Sequence, residues 1–258
     1  MSQLVFITGA SSGIGQALAW QFYQAGYDLA LVARRGDAMQ AWVNAQRIEP
    51  ARMRLYSADV ADVDSIVAAG QQCLAAQGLP DVVIANAGIS VGMDSGVRSD
   101  LEVMARTFAT NNIGLAATFH PFVEAMCARG TGTLVGIGSV AGIRGLPGHG
   151  AYCASKAAVI AYCESLRGEL RSCGVSVVTI CPGYIDTPLT RQNRYSMPFL
   201  MPVHAFAKQA FRSIVACDSY RVIPWQMAGV AKLLRLLPNW LFDKALSGRP
   251  RKRRADSA

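Results

Sequence analysis

The sequence predicts an α/β fold in which a doubly wound, mostly parallel sheet of seven strands carries helices on both faces. Short apolar runs rich in β-forming residues alternate along the chain with segments of helical length, and this alternation is typical of right-handed βαβ units. The composition agrees, because 258 residues that are 52% hydrophobic and only 16% charged can bury one large core. We expect one domain over residues 1–225 and a C-terminal amphipathic extension with a basic tail over residues 226–258.

Seven apolar runs supply the strands, and longer segments between them supply the helices. The predicted strands cover residues 4–8, 29–33, 53–57, 82–85, 134–138, 175–181 and 221–224. The predicted helices include residues 15–25, 65–76, 101–128 and 154–172. No linker, repeat or low-complexity tract divides the chain. Ligands of such sheets bind beyond the carboxyl ends of the strands, and the polar motifs of this sequence fall there.

A glycine-rich turn follows the first predicted strand directly. The strand LVFIT runs into GASSGIG, which places Gly9, Gly13 and Gly15 between a strand and a helix. Backbone N–H groups and the positive end of a helix dipole meet at such a turn, and glycine lets a pyrophosphate approach the backbone closely. The pattern predicts a single-domain Rossmann fold that binds a dinucleotide; the alternative is a mobile turn without a ligand.

Two arginines end the second predicted strand. Arg34 and Arg35 stand about twenty residues after the glycines, where an NAD enzyme has an acidic residue for the ribose 2′-hydroxyl. A 2′-phosphate calls instead for the planar guanidinium, which binds phosphate through two hydrogen bonds. NADP(H) is therefore favoured over NAD(H), and the alternative is a pair of solvated arginines.

The order and spacing of several motifs resemble those of the short-chain dehydrogenase/reductase family of the GxxxGxG type, over residues 3 to about 190. The matching residues are Thr8, Gly9, Gly13 and Gly15 in the dinucleotide signature, Asp59 after the third strand, Asn86, Ala87 and Gly88 in the NAG element, Asn111 in the fourth helix, the catalytic Ser139, Tyr152 and Lys156, and Pro182, Gly183 and Thr187 in the PG turn. The chain departs from the family pattern at Ala85, where a second asparagine is frequent.

The resemblance implies an oxidoreductase with a nicotinamide cofactor. It implies that Asp59 contacts the adenine, that Lys156 binds the nicotinamide ribose hydroxyls, and that Asn111 holds a water linking Lys156 to solvent. Asp59 and Asn86 can also serve a helix start and a turn. We expect the other cofactor contacts at Ser11, Ser12, Ile14, Val60 and Ile185.

The chemistry of the Tyr–Lys pair can be argued from the residues alone. Tyr152 and Lys156 are one helical turn apart and project from one face of a helix. A nearby ammonium group favours the phenolate and lowers the pKa of Tyr152 from its ordinary value of about 10. Tyr152 would then give its proton to a carbonyl oxygen while Ser139 donates a hydrogen bond to the same oxygen. Each residue alone also has a purely structural interpretation. Ser139 can end a strand, Tyr152 can lie in the core, and Lys156 can lie on a solvated helix.

Substrate choice is expected in segments that the motifs leave free, namely residues 90–98, 141–150 and 184–202, the last within a lid at about 184–204. The end of this lid suggests a hydrophobic wall made of Met197, Phe199, Leu200 and Met201. We therefore expect a largely apolar carbonyl or secondary alcohol: a 3-oxoacyl compound, a steroid-like molecule or another lipophilic ketone.

Three further residues of these segments leave alternatives open. Arg191 and Arg194 can hold an anionic group of the substrate or lie simply on the surface. His149 can approach the site or serve as a loop histidine without a catalytic role.

The net charge of +8 is concentrated, since the tail from Arg249 onward carries half of it. No zinc-ligand spacing or nucleic-acid motif accompanies it, so neither a metal nor a nucleic acid is expected. Seven cysteines without CxxC spacing and the absence of a signal sequence predict a cytoplasmic protein.

The C-terminal extension can contact either a membrane or protein. It combines an apolar helical face, a tryptophan and basic residues, which suits either a membrane surface or packing on its own domain or a sister subunit. The resemblance implies a homodimer or homotetramer, and the helices at 101–128 and 154–172 would supply its interface.

Two classes of function are consistent with the sequence. The first is an NADP(H)-dependent reductase or dehydrogenase acting on CH–OH groups, which the presence of Asn111, Ser139, Tyr152 and Lys156 favours. The second is a non-catalytic NADP(H)-binding redox sensor or membrane-associated scaffold.

Overall fold

The computed structural model describes residues 2–193, 195–248, 252 and 254. The strands are β1 Leu4–Thr8, β2 Asp28–Ala33, β3 Met53–Ser57, β4 Val82–Ala85, β5 Gly132–Ile137, β6 Val175–Pro182, β7 Ile185–Asp186, β8 Met201–Pro202 and β9 Tyr220–Ile223. The helices are α1 Gly13–Gln24, α2 Gly36–Gln46, α3 Val63–Gln77, α4 Asp100–Phe108, α5 Gly114–Arg129, α6 Gly150–Leu170, α7 Val203–Val215, α8 Trp225–Leu236 and α9 Asn239–Leu246.

Seven of these strands form one parallel sheet in the order β3-β2-β1-β4-β5-β6-β9, and β7 pairs with β8 in a separate ribbon. The predicted doubly wound α/β architecture is confirmed. Strands β2 and β3 are added on one side of β1, and β4 and the strands after it are added on the other side. The gap between β1 and β4 is therefore the topological switch point, where ligands bind in such folds.

Both faces of the sheet are buried, as the uninterrupted apolar runs require. On β1, Val5 and Ile7 face one apolar cluster while Leu4 and Phe6 face the other, because successive side chains of a strand point to opposite faces. Phe6 packs against Phe122 of α5 with ring centres 4.9 Å apart. Side chains of α1, α2 and α7 complete the first cluster, and those of α3, α5 and α6 complete the second.

The segment predicted as one helix over residues 101–128 is interrupted. A π-helical turn at Ala109–Ile113 separates α4 from α5. The turn lies where the Asn111 side chain bonds both backbone groups of Ile89, and where α5 begins against the loop after β3. A side chain at Gly114 would come within 2.4 Å of the Val60 carbonyl oxygen, so α5 can start this close only with glycine. Hydrophobic periodicity carries no information about such a contact.

The lid expected at 184–204 contains regular structure. The β7–β8 ribbon closes it, and α7 begins at Val203. Helices α2 and α7 lie in segments where the sequence analysis named no helix.

The C-terminal extension packs partly on the domain. Met227, Ala231 and Phe242 are buried, and the guanidinium of Arg144 lies 3.8 Å from the centre of the Phe242 ring. Arg144 also donates a hydrogen bond of 2.8 Å to the Leu237 carbonyl. Among the described residues, no helix combines the length and apolar character needed to cross a membrane.

Candidate active site

The glycine-rich turn has the backbone geometry of a phosphate cradle. Gly9 and Gly13 have φ values of 68° and 57°, a left-handed region that favours glycine. A Cβ at Gly15 would lie 2.3 Å from the Gly9 carbonyl oxygen, so α1 can start this close to the turn only with glycine. The N-terminus of α1 therefore opens directly onto the cleft, with room for a pyrophosphate against the backbone.

Thr8 and Asn86 join the glycine turn to the end of β4. The Thr8 hydroxyl accepts hydrogen bonds from the backbone N–H groups of Asn86 and Ala87, at 3.1 and 3.3 Å. The Asn86 amide donates in return to the carbonyls of Thr8 and Gly9, at 2.9 and 3.3 Å. Asn86 thus holds the glycine turn against the end of β4. This is the turn role that the sequence analysis gave as an alternative to a cofactor contact.

A cleft of about 440 Å³ runs along the carboxyl edge of the sheet. The sequence-predicted residues that line it are Gly9, Ser11, Ser12, Gly13, Ile14, Arg34, Arg35, Asp59, Val60, Asn86, Ala87, Gly88, Ser139, Tyr152, Lys156, Pro182, Gly183, Ile185 and Thr187. Gly15 and Asn111 do not line it: Gly15 supports the turn, and Asn111 is buried behind Gly88. The cleft wall also contains Thr110, Leu189, Thr190 and Gln192, which the sequence analysis did not single out.

Arg34 and Arg35 lie at the mouth of the cleft. The Arg34 guanidinium is 3.4 Å from the Asp59 carboxylate, and Arg35 donates to the Ser11 hydroxyl at 3.3 Å. Both arginines are exposed, so these contacts leave donors available to a ligand. Asp59 also accepts a hydrogen bond from the backbone of Ala61 at 3.0 Å, which shapes the loop after β3.

Ser139, Tyr152 and Lys156 meet at the inner end of the cleft. A tight helical turn at Val140–Gly142 brings Ser139 from the end of β5 to α6, and Gly142 packs against the backbone of Lys156, where a Cβ would lie 2.6 Å away. Ser139 lies close enough to the Tyr152 hydroxyl to favour the phenolate. Two separate elements thus direct their hydroxyls to one point.

Lys156 is buried behind the tyrosine. Its ammonium group donates to the Ile137 carbonyl at 2.7 Å and lies 6.0 Å from the centre of the Tyr152 ring. Burial lowers the pKa of Lys156 to about 8. Burial also raises the pKa of Tyr152, and the nearby Ser139 opposes this. In this state burial has the larger effect, so a lowered pKa of Tyr152, favoured by Lys156 together with oxidised nicotinamide, stays a prediction.

The Asn111 side chain forms three hydrogen bonds close to Lys156. Its amide donates to the Ile89 carbonyl at 3.0 Å and to the Ser155 hydroxyl at 2.9 Å, and its oxygen accepts from the Ile89 N–H at 2.8 Å. A Cβ at Gly88 would lie 3.2 Å from the Asn111 oxygen and 3.5 Å from Lys156 Nζ, which shows how closely these groups pack. The water relay expected at Asn111 stays a prediction.

His149, Tyr195 and Tyr184 form an aromatic group in the segments expected to choose the substrate. His149 is buried, with Nε2 3.2 Å from the Tyr195 hydroxyl, and Tyr195 packs edge-on against Tyr184 with ring centres 6.2 Å apart. Burial lowers the pKa of His149. The hydrophobic wall expected at the end of the lid is not formed by Phe199 and Leu200. Both point to solvent, with 51% and 46% of their surface exposed.

Other lid residues also differ from expectation. Met201 packs against the domain core, and Met197 is not among the residues lining the cleft. Arg191 forms an ion pair of 2.7 Å with Asp186, which already supplies its anionic partner. Arg194 and the tail residues 249–251, 253 and 255–258 lie outside the described residues.

Comparison with known proteins agrees with this arrangement. The family model for short chain dehydrogenases matches residues 3–197. This chain belongs to the short-chain dehydrogenase/reductase family. An uncharacterized oxidoreductase of Myxococcus xanthus is 37% identical over 239 residues, which cover 93% of this chain and 94% of that protein.

Solved structures share the fold of this short-chain dehydrogenase/reductase. A family member from Burkholderia phymatum in complex with NAD has a TM-score of 0.81 at 23% identity and covers 96% of both chains. An alcohol dehydrogenase from Thermococcus sibiricus complexed with 5-hydroxy-NADP has a TM-score of 0.77 at 25% identity, covering 86% of this chain and 96% of that one. The chain is thus an oxidoreductase of a family that binds nicotinamide cofactors and acts on small molecules.

The buried ammonium of Lys156 predicts a pH-dependent stability. Its pKa falls to about 8 from an ordinary 10.5, so between these values the unfolded chain binds more protons and stability rises with pH. Lys156→Met removes this contribution. Between pH 8 and 10.5, urea unfolding should show the wild type gaining up to about 3 kcal/mol on the variant. The exposed Lys208→Met should follow the wild type, and parallel curves for Lys156→Met and wild type would contradict the prediction.

Proposed function

We propose that this protein is an NADP(H)-dependent carbonyl reductase or alcohol dehydrogenase acting on the CH–OH group of a largely apolar substrate. The observation that carries the proposal is the cleft itself. The glycine turn lies at one end of the cleft, and Ser139, Tyr152 and Lys156 lie at the other end. All of these residues line the same cleft. The left-handed backbone at Gly9 and Gly13, with the close approach of α1 that Gly15 allows, fits a dinucleotide phosphate, so the residues suit the cofactor that the family binds.

The residues at the inner end supply acid–base chemistry. The bound nicotinamide supplies a hydride to the carbonyl carbon and is oxidised as the carbonyl is reduced to an alcohol. Tyr152 gives its hydroxyl proton to the carbonyl oxygen, and Ser139 donates a hydrogen bond to that oxygen as negative charge develops on it. Lys156, behind the ring, stabilises the phenolate that remains until a proton returns from solvent.

The preference for NADP(H) rests on the two arginines at the mouth. Arg34 and Arg35 are exposed, flank the loop with Asp59 and the turn with Ser11, and bring two positive charges to the cleft entrance. A 2′-phosphate there would be bound by charge-assisted hydrogen bonds. Asp59 partly neutralises Arg34, which makes Arg35 the stronger phosphate ligand.

The apolar substrate class rests on the apolar side chains near Tyr152. Ile89, Ile185 and Leu189 line the cleft, and Tyr195 lies close to the Tyr152 hydroxyl. These side chains bury hydrocarbon well and offer few polar partners. A 3-oxoacyl compound, a steroid-like molecule or another lipophilic ketone fits this lining.

Tyr152→Phe separates catalysis from cofactor binding. A panel of ketones and alcohols run with NADPH and NADP⁺ should show kcat reduced about 10²- to 10⁴-fold in the variant, because the proton donor is gone. Quenching of NADPH fluorescence should remain. Tyr162→Phe, on the exposed side of the same helix, is the matched control and should keep wild-type rates. Retained turnover in Tyr152→Phe, or a wild type that binds NADPH and reduces nothing, would favour the non-catalytic sensor or scaffold.

Arg35→Ala tests the cofactor preference. Loss of a charge-assisted phosphate contact should raise the KM for NADPH about 10- to 100-fold while the KM for NADH changes little. The exposed Arg167→Ala on α6 should leave both values as in the wild type. Equal effects on the two cofactors would place the arginine outside the 2′-phosphate site.

We propose two separate contact surfaces outside the cleft. A homodimer or homotetramer would use the long helices, where Leu101, Met104 and Ile113 are exposed. Peripheral membrane contact by an otherwise cytoplasmic protein would use the C-terminal helices, where Trp225, Leu236 and Trp240 expose 71%, 82% and 70% of their surface. The seven cysteines are free thiols, which suits the cytoplasm.

Paired substitutions on the C-terminal helices test the membrane surface. Trp225→Ser with Trp240→Ser should reduce co-sedimentation with anionic vesicles to the vesicle-free level, because the interfacial anchors are lost. Truncation after Pro224 is less clean, since it also removes the buried Met227 and Phe242. Phe199→Ser, at an exposed phenylalanine of the lid, is the control, and identical recovery of all three proteins would exclude membrane contact through this face.

A further inference from the structure

Lys252, from the basic tail, lies close to Tyr152. Lys252 Nζ donates to the Ser90 hydroxyl at 2.7 Å and lies 5.9 Å from the centre of the Tyr152 ring. Lys156 lies 6.0 Å from the same ring centre. The catalytic tyrosine therefore has two ammonium groups at nearly equal distance, one from its own helix and one from a residue 100 positions further along the chain.

A buried ion pair anchors this part of the tail. The Arg254 guanidinium contacts both oxygens of the Asp100 carboxylate, at 2.7 and 3.0 Å, and only 2% of the Asp100 side chain is exposed. Asp100 also accepts a hydrogen bond of 2.6 Å from the Asp94 backbone, and Arg254 forms a parallel bridge with Gly92. A two-point arginine–carboxylate contact fixes direction as well as position, so Arg254 is held against the segment after β4.

Within the described part of the chain, Lys252 has no counter-ion, because no carboxylate there forms an ion pair with its ammonium group. Burial lowers the pKa of Lys252 to about 8, and Lys252 in turn helps to lower the pKa of His149. A partly buried cation without a paired anion is electrostatically unsatisfied, and an anion bound between Lys252 and Tyr152 would relieve this.

We propose that Lys252, with Ser90, forms the subsite for a carboxylate of the substrate, so that the preferred substrate is an oxo acid with an apolar body. This inference rests on the proposed reductase function. With the carbonyl at Tyr152 and the carboxylate at Lys252, the ring of Tyr195, close to Tyr152, receives the hydrocarbon. Arg254 and Asp100 are positioning residues that hold Lys252 close to Tyr152.

A matched pair of substrates tests the subsite. An aliphatic oxo acid and its methyl ester present the same carbonyl and differ in one charge. With full-length protein and NADPH, Lys252→Met should lower the ratio of kcat/KM for acid over ester at least about tenfold, mainly through the KM for the acid, because charge-assisted hydrogen bonds are lost. Lys252→Arg should restore much of the ratio. Lys208→Met, an exposed lysine of α7, controls for net charge and should leave the ratio unchanged.

The anchor gives a second, independent variant. Arg254→Ala should lower the same ratio while the pH dependence of kcat for the ester stays that of the wild type, since the chemistry at Tyr152 is untouched. An unchanged ratio in both Lys252→Met and Arg254→Ala would overturn the proposal. A loss that is equal for acid and ester, with a shifted pH profile, would overturn it as well, because Lys252 would then act on the Tyr152 phenolate.

Binding separates this inference from the proposed function. Titration calorimetry of the oxo acid against the NADP⁺-loaded protein should show at least about tenfold weaker binding in Lys252→Met. Wild-type protein that turns over no carbonyl but binds the acid in a Lys252-dependent way would sink the reductase and keep the subsite. Turnover of acid and ester alike by wild type and variant would keep the reductase and sink the subsite.

Discussion

Burial of a parallel sheet on both faces is the constraint on which the rest of this structure depends. Every central strand must be apolar on both sides, as Leu4, Phe6, Val5 and Ile7 show on β1. Polar groups are therefore displaced to the ends of the strands. Because all seven strands of the sheet run in one direction, their carboxyl ends share one edge, and the glycine turn, Asn86 and Ser139 meet there. The active cleft is a consequence of how this core is covered.

The same packing sets the electrostatics of the cleft. Tyr152 and Lys156 lie against apolar elements, so burial raises the pKa of Tyr152 and lowers the pKa of Lys156. Both shifts favour the neutral form of the group. Without added charge, a neutral phenol is the stable state, which is the form that a proton donor needs. Release of that proton requires compensation from positive charge, and the ammonium group of Lys156, 6.0 Å from the ring centre, can supply it.

The sequence predicted the strands well, and most of the residues that it named for the cofactor line one cleft, because their determinants are local. Strand residues alternate between two buried faces, and the glycine turn and the Tyr–Lys pair are short motifs whose geometry follows from one strand or one helix. The π-helical turn before α5 was missed because it depends on the approach of Gly114 to Val60, about fifty residues away. The contact of Lys252 with Ser90 lies 162 positions apart and leaves no periodic signal.

The two ends of the cleft depend on different kinds of contact. At the glycine turn, a Cβ at Gly9 or Gly15 would clash with neighbouring backbone, so few side-chain changes are tolerated there. Near Tyr152, Lys252 and Arg254 are held by side-chain contacts with Ser90 and Asp100 and by a β-bridge to Gly92. Substitutions at Lys252 or Arg254 would leave the strands of the sheet unaltered, so the proposed carboxylate subsite can change without redesign of the core.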